Sequence, residues 1–498
     1  MGEISFTDTT FRDGHASLWA QGMRTSMMLA LAKEMDQAGF VALEVIANSN
    51  FKKCVRELRE NPWERIRLLA DALPNTPLAA MAGAGSPAPF GIAPLALQKL
   101  YLSRLAANGI RRLHLMEASN DMTGRLVSTV RFAHEAGLSV VVALVFSLSP
   151  VHTDEYYAQK AEQAVGLGAD KVYLKDPGGL LTPERTRTIV PAIISKLCGT
   201  PIEFHTHCTT GLGPVSLLEA VEGGIDTVHT AVPPLANGSS QPSIFNAASN
   251  LRALGHSTAI DEAPLRRASE KLTAMAARER FPLGTPFEYD YAQYVHQVPG
   301  GVISNLRHQL RQIGMESKLP EVLNESVRVR TDLGYPIMVT PFSQFVVSQA
   351  TINILNGERY KVVTDEIIKY TLGDYGDEAG RGVEAEAREI ILNRRRANDL
   401  ASAERVEPSL DDIRESFGSG IPDDELLLRY AVGGETEVNT MRESARPNDY
   451  LQPANPVTEL VEKLVKSRNV DEVTIRRPDF SLVLSGKADL SDRTNHHS

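Results

Sequence analysis

Pro201-Ile-Glu-Phe-His205-Thr-His207-Cys-Thr-Thr-Gly211 reads as a strand that ends by offering two imidazoles. In an extended chain residues i and i+2 point the same way, so His205 and His207 share a face. Two neutral imidazoles side by side suit a borderline divalent metal. A pair of histidines held by hydrogen bonds inside a barrel has the same spacing, and this stretch alone leaves both readings open. Asp13 follows a short N-terminal strand and Lys175 ends another strand-like run. An oxygen donor from each completes a four-ligand set.

The strand of the two histidines is one of a series. Short apolar, β-branched runs recur at 4–10, 41–47, 78–82, 112–118, 139–146, 171–175, 202–207 and 226–231, with helical stretches between them. Eight such runs in alternation predict a closed parallel (β/α)8 barrel, a TIM barrel, over residues 1–301. The stretch 26–38 has helical apolar spacing and stops at Gly39, a natural C-terminal cap. Ligand-type residues at several strand ends favour the barrel over a doubly wound sheet.

Barrel enzymes work at the carboxyl ends of their strands. Those ends carry Arg12, Asp13, Glu44, Glu117, Lys175, the two histidines and the loop 233–241. Lysine coordinates a metal only when deprotonated or carboxylated to a carbamate. Spacing alone favours for Lys175 an ion pair with a nearby carboxylate such as Asp176.

Composition bounds the partners. The chain has 498 residues and a net charge of −10, with its basic residues scattered. That argues against a nucleic-acid groove or an anionic membrane surface. Three cysteines, Cys54, Cys198 and Cys208, have no paired spacing and suit a reducing compartment. No apolar run reaches the roughly 18 residues a spanning helix needs, so no membrane span and a cytoplasmic chain are expected.

The opening Phe6-Thr-Asp-Thr-Thr-Phe-Arg-Asp-Gly-His15-Ala-Ser17 resembles that of the carboxyltransferase domains of biotin-dependent carboxylases. That group comprises pyruvate carboxylase, oxaloacetate decarboxylase and transcarboxylase. The likeness continues through Asn61-Pro-Trp-Glu-Arg65, Leu174-Lys-Asp-Pro-Gly-Gly-Leu-Leu-Thr-Pro183, the His pair and Asn237-Gly-Ser-Ser-Gln-Pro-Ser243. It runs on through His296-Gln-Val-Pro-Gly-Gly-Val-Ile-Ser-Asn-Leu306, Asp332-Leu-Gly-Tyr-Pro336, Val339-Thr-Pro341 and Gly357-Glu-Arg-Tyr360.

The resemblance implies that Asp13, a carboxylated Lys175, His205 and His207 bind a divalent metal, zinc, manganese or cobalt. It implies that Ser304 shuttles a proton between biotin and acceptor, a role a lone hydroxyl can fill. It implies carboxyl transfer from carboxybiotin to a small acceptor, and barrels that pair as homodimers.

Departures from the group's pattern fall on its substrate side. Ala16 stands where pyruvate-handling members have a glutamine, and Gly83 stands where their third strand ends in an arginine that grips the keto acid. A glycine offers no guanidinium fork, so a carbonyl or amide-like acceptor other than pyruvate is expected. Glu117, Asn48 and Ser49 also differ and mark a remodelled pocket. Arg12, Ala16, Glu44, Gly83 and Glu117 are accordingly the candidate acceptor-binding positions.

After the barrel, 302–435 reads as a helical domain that completes the active-site funnel, with a charged run at 377–407 expected to form exposed helices carrying i to i+4 pairs. The polar stretch 436–456 reads as a linker, and 457–498 as a helix followed by a hairpin around Arg477-Pro-Asp. That last segment resembles the one preceding biotinyl domains, yet the chain carries no Met-Lys-Met acceptor. Biotin is therefore expected on a separate carrier protein, with a biotin carboxylase as second partner and 457–498 as the docking element. Three other readings stand beside this one: an enzyme acting on pyruvate or oxaloacetate, a metal-dependent aldolase or lyase barrel, and an inactive scaffold subunit.

Overall fold

The computed structural model describes residues 2–87, 92–376, 378–403 and 407–444, and the strands Glu472–Arg477 and Phe480–Ser485. The chain divides into two compact units, Met1–Arg446 and Pro447–Ser498.

Eight strands form the first unit's centre: β1 (Glu3–Asp8), β2 (Ala42–Ala47), β3 (Leu78–Gly83), β4 (Arg112–Met116), β5 (Ser139–Val145), β6 (Lys171–Asp176), β7 (Ile202–Thr206) and β8 (Thr227–Thr230). Each pairs in parallel with the next, and β1 pairs with both β8 and β2, which closes the barrel. A two-residue strand, β9 (Ser257–Thr258), adds to β1. The apolar alternation holds because outward residues such as Leu113, Leu115 and Phe204 lie buried at 0% exposure. The helix expected over 26–38 runs Thr25–Asp36, and Gly39 follows it at φ +87°.

Inside the barrel the filling is unusually polar. Glu44, Arg112, His114, Tyr173, Glu203, His205 and His229 are all buried. The motif 61–65 serves structure: Asn61 caps the helix Pro62–Ala72, and buried Arg65 holds Glu60, Thr25 and the Met23 carbonyl.

Helices Gly300–Gln312, Leu319–Asp332, Phe342–Asn356 and Asp365–Leu372 share one apolar core through Leu310, Val322, Val329, Phe342, Val346 and Ile368. The Gln297 amide and the Arg330 guanidinium both donate to the Leu148 carbonyl, which ties this region to the end of β5.

Two expectations change in part here. In the run 377–407, Ala387, Ile391 and Ala397 are buried in the helical core, and its ion pairs reach other segments: Lys160–Glu378, Arg396–Asp365 and Arg125–Glu407. Its helices, Ala385–Leu392 and Arg395–Ala401, are exposed along most of their length as expected, with one buried edge. The linker expected over 436–456 opens instead with the helix Glu435–Glu443, whose Val438 and Met441 are buried while Glu437 pairs with Arg56. The helix expected from 457 lies outside the described residues. In the second unit β10 (Glu472–Arg477) pairs antiparallel with β11 (Phe480–Ser485), with Arg477 opposite Phe480 in the register.

Candidate metal centre

Asp13 is aimed by a widened helical turn, Thr10–Gly14, that leaves β1. There the Gly14 amide reaches back five residues to the Thr9 carbonyl at 3.0 Å, a single-turn distortion that recurs at functional sites. Gly14 is needed because a Cβ there would lie 3.0 Å from the Leu235 carbonyl. The other ligand-type residues come straight from strand ends. Lys175 lies on β6 opposite His205 on β7, and His207 follows one pleat later.

The four groups converge. Asp13 Oδ2 lies 3.3 Å from His205 Nε2, 3.5 Å from His207 Nε2 and 3.7 Å from Lys175 Nζ. Lys175 Nζ lies 3.1 Å from His205 Nε2. All four are buried, none more than 7% exposed. Asp176 is not the partner of Lys175: its oxygens accept from the Leu180 and Leu181 amides and the Thr206 hydroxyl.

The donor chemistry fits a divalent cation. His207 Nδ1 lies 2.7 Å from the Ser239 carbonyl, which can only accept, so Nδ1 carries the proton and Nε2 presents a lone pair. Burial alone would raise the Asp13 carboxyl, but Arg12, His207 and Lys175 outweigh it and hold it well below the usual range. Burial, aided by Arg12 and opposed by Asp13, pushes the Lys175 ammonium down toward the neutral amine that a carbamate requires. Burial and Lys175 hold the His205 imidazole neutral. A second cluster, His114, Glu203 and His229, also has metal-type spacing. Glu203 is already paired with Arg112 and Lys171, so a further cation there would be repelled.

This centre forms the floor of a cavity of about 700 Å³, lined among others by Arg12, Asp13, Gly83, Glu117, Lys175 and His207. The helical region supplies Thr340, Phe342 and Gly373–Gly376 to its wall. Arg12 is a fixed cation there, held by Asp13 at 3.0 Å and by Glu44. A Cβ on Gly83 would make only ordinary contacts, the nearest with the Met116 carbonyl at 3.6 Å, so the position has room for a side chain and carries none. Burial raises the neighbouring Glu117 carboxyl to about 7.

Two of the acceptor-binding candidates do not line the cavity. Glu44 is 1% exposed and committed to Arg12 and His114, so it orients Arg12 instead of meeting a substrate. Ala16 sits in the short helix His15–Leu18 and is not among the lining residues. Ser304 belongs to the helix Gly300–Gln312, and its side chain lies outside the described residues. Cys208 is buried with its thiol pushed up by burial, and it does not line the cavity.

Gln241, part of the loop 233–241 and the motif 237–243, is given its partners only by the structure. Its oxygen accepts from the Thr9 and Ser240 hydroxyls, which turns its amide nitrogen toward His207 Nε2 at 3.0 Å. Glu203 and His229 were not among the candidates, although the alternation 203-205-207 already placed Glu203 on the histidine face.

Residues 3–272 match the HMGL-like family and residues 294–473 match the conserved carboxylase domain. The chain is 37% identical over 376 residues to a pyruvate carboxylase subunit of Methanocaldococcus jannaschii, a match spanning 75% of this chain and 66% of that relative. It is 32% identical over 473 residues to the 2-oxoglutarate carboxylase large subunit of Hydrogenobacter thermophilus, spanning 92% of this chain and 71% of that one. The solved carboxyl transferase domain of Rhizobium etli pyruvate carboxylase with pyruvate shares the fold at a TM-score of 0.80, with 23% identity, over 97% of this chain and 83% of that one. The first relative extends beyond this chain's match, which spans 66% of it, and the match over 294–473 adds the conserved carboxylase domain to the HMGL-like one. By these matches and by its closed barrel, the chain belongs to the carboxyltransferase family of the biotin-dependent carboxylases and is an enzyme of that family.

Proposed function

We propose that the chain is the carboxyltransferase component of a multi-subunit carboxylase and moves the carboxyl group of carboxybiotin to a small carbonyl-type acceptor other than pyruvate. The observation that carries this reading is the convergence of Asp13, Lys175, His205 and His207 on the floor of the cavity. With Lys175 carboxylated, these four would hold a divalent ion, whose chemistry is to polarise the acceptor's oxygen.

The protein's own groups do the rest. Arg12 holds a positive charge beside the floor, where negative charge develops on the acceptor. The barrel floor and the helical wall shield the cavity on two sides, which limits water at both the carboxyl being transferred and the acceptor carbanion. The N–C bond of carboxybiotin breaks, a C–C bond to the acceptor forms, and the acceptor's proton returns to biotin by way of the Ser304 hydroxyl. The cavity lies within the roughly 300–1,000 Å³ of small-molecule sites, enough for a ring and a short acceptor together.

The acceptor reading rests on Gly83, which lines the cavity and has no side chain to grip a carboxylate. Pyruvate remains a second reading, favoured by the name of the 37% identical relative. Biotin is supplied on a separate carrier protein, a biotin carboxylase loads it, and barrels associate in pairs. Labelled carboxyl transfer from a carboxylated carrier to pyruvate, 2-oxoglutarate and simple amides tests the reading. Transfer to pyruvate as fast as to any other acceptor overturns it in favour of the second.

A further inference from the structure

Directly beneath the proposed centre, and resting on that assignment, three side chains form a closed line through the barrel. His205 Nδ1 lies 3.1 Å from His229 Nδ1, and His229 Nε2 lies 2.9 Å from Glu203 Oε2. None of the three is more than 1% exposed. The His229 ring lies between neighbours, stacked on Tyr173 at 5.6 Å and on His114 at 5.2 Å, which holds its plane.

The line has a direction. Glu203 is flanked by the Arg112 guanidinium and by Lys171 Nζ at 3.3 Å, and a carboxylate between two cations only accepts hydrogen bonds. His229 Nε2 must therefore carry a proton. With Nε2 committed to Glu203, His229 meets His205 through Nδ1 alone, and the line is complete when that Nδ1 accepts the proton of His205 Nδ1. What remains on His205 is a bare Nε2, the atom that faces Asp13 and Lys175.

We infer that Glu203 and His229 are positioning residues that fix the tautomer of His205 and so make it a metal ligand. Neither touches the cavity. The pair acts by leaving the imidazole one available donor atom and one orientation, as hydrogen-bonded carboxylates do behind metal-bound histidines.

Glu203→Gln tests this. A glutamine here turns its oxygen to Arg112 and its amide to His229, which reverses the line and places the His205 proton on Nε2. The affinity of the full chain for Zn2+ and Co2+, measured by competition with a chelator, should fall about 10–100-fold. The visible spectrum of the cobalt-loaded protein should change as one nitrogen ligand is lost, and Glu203→Asp, which keeps an acceptor, should recover part of the affinity. A folded Glu203→Gln protein with unchanged affinity and spectrum overturns the inference and leaves the centre standing. A wild type that takes up no metal overturns the centre instead. In that event, and if the variants do not fold, the 15N shifts of His205 in the metal-free wild type decide: a proton on Nδ1 supports the inference, and a proton on Nε2 overturns it.

Discussion

Lys175 and Asp8 are both ionisable and both enclosed, yet their surroundings give them opposite uses. Lys175 sits among Asp13, His205 and the Tyr173 ring, where burial favours the neutral amine. Lys175→Ala should fold and yet lose bound metal and carboxyl transfer together, each by at least about 100-fold. Metal analysis of the purified variant checks this, and full occupancy would sink the ligand assignment. Asp8 accepts only from the Thr10 amide and hydroxyl, and burial raises its pKa from 3.8 to about 7. The sign follows from linkage: the folded value lies above the unfolded one, so its contribution is complete below about pH 4 and is lost as pH rises through 7. The loss between those limits is roughly 3–5 kcal/mol. Asp8→Asn has no such titration, so its denaturation midpoint should vary less between pH 5 and pH 8 than that of wild type. Equal pH dependence in the two proteins would show that Asp8 ionises normally.

Between strand end and ligand the loops do the aiming, and the Gly178-Gly179 pair shows how closely they fit. Gly179 has φ +61° and a Cβ there would fall 2.6 Å from the His207 carbonyl and 2.5 Å from the Thr209 hydroxyl. A Cβ on Gly178 would meet only the Leu180 side chain, at 2.9 Å, which can move. Gly179→Ala should therefore cost about 2–4 kcal/mol and weaken metal binding by displacing His207, while Gly178→Ala should cost under about 1.5 kcal/mol. Comparable melting temperatures for the two variants would contradict this. The strands behind these loops were legible, because a period of two and regular spacing mark them in any order of reading. So were His205 and His207, since i and i+2 on a strand share a face by geometry alone. The Thr10–Gly14 turn was not legible, because a hydrogen bond spanning five residues leaves no periodic trace. Neither was the commitment of Glu44 to Arg12 and His114, which only barrel closure brings together. The helix Glu435–Glu443 was hidden by its polar composition, with only Val438 and Met441 turned inward.

Across the whole molecule, the centre, the cavity and its helical wall all belong to the unit Met1–Arg446, whose barrel and helical cores are each continuous. Among the described residues no helix is long and apolar enough to cross a membrane. The unit Pro447–Ser498 contains the antiparallel pair β10 and β11, whose register sets Val473 against Leu484 and Ile475 against Leu482. Two strands alone are marginal in water, and Val483 is 56% exposed, so the described strands have apolar surface to offer. A chain ended after Arg446 should keep its metal and melt within about 2 °C of wild type, because no element of the first unit's cores is removed. The same truncation should abolish co-purification with a biotin carrier and a biotin carboxylase, since the hairpin unit is the proposed docking element. Size-exclusion chromatography of full-length and truncated chains mixed with both partners reads the difference. If the truncated chain still assembles, docking belongs to the barrel or its helical wall. If it unfolds, Pro447–Ser498 is a structural part of the enzyme instead of a docking unit.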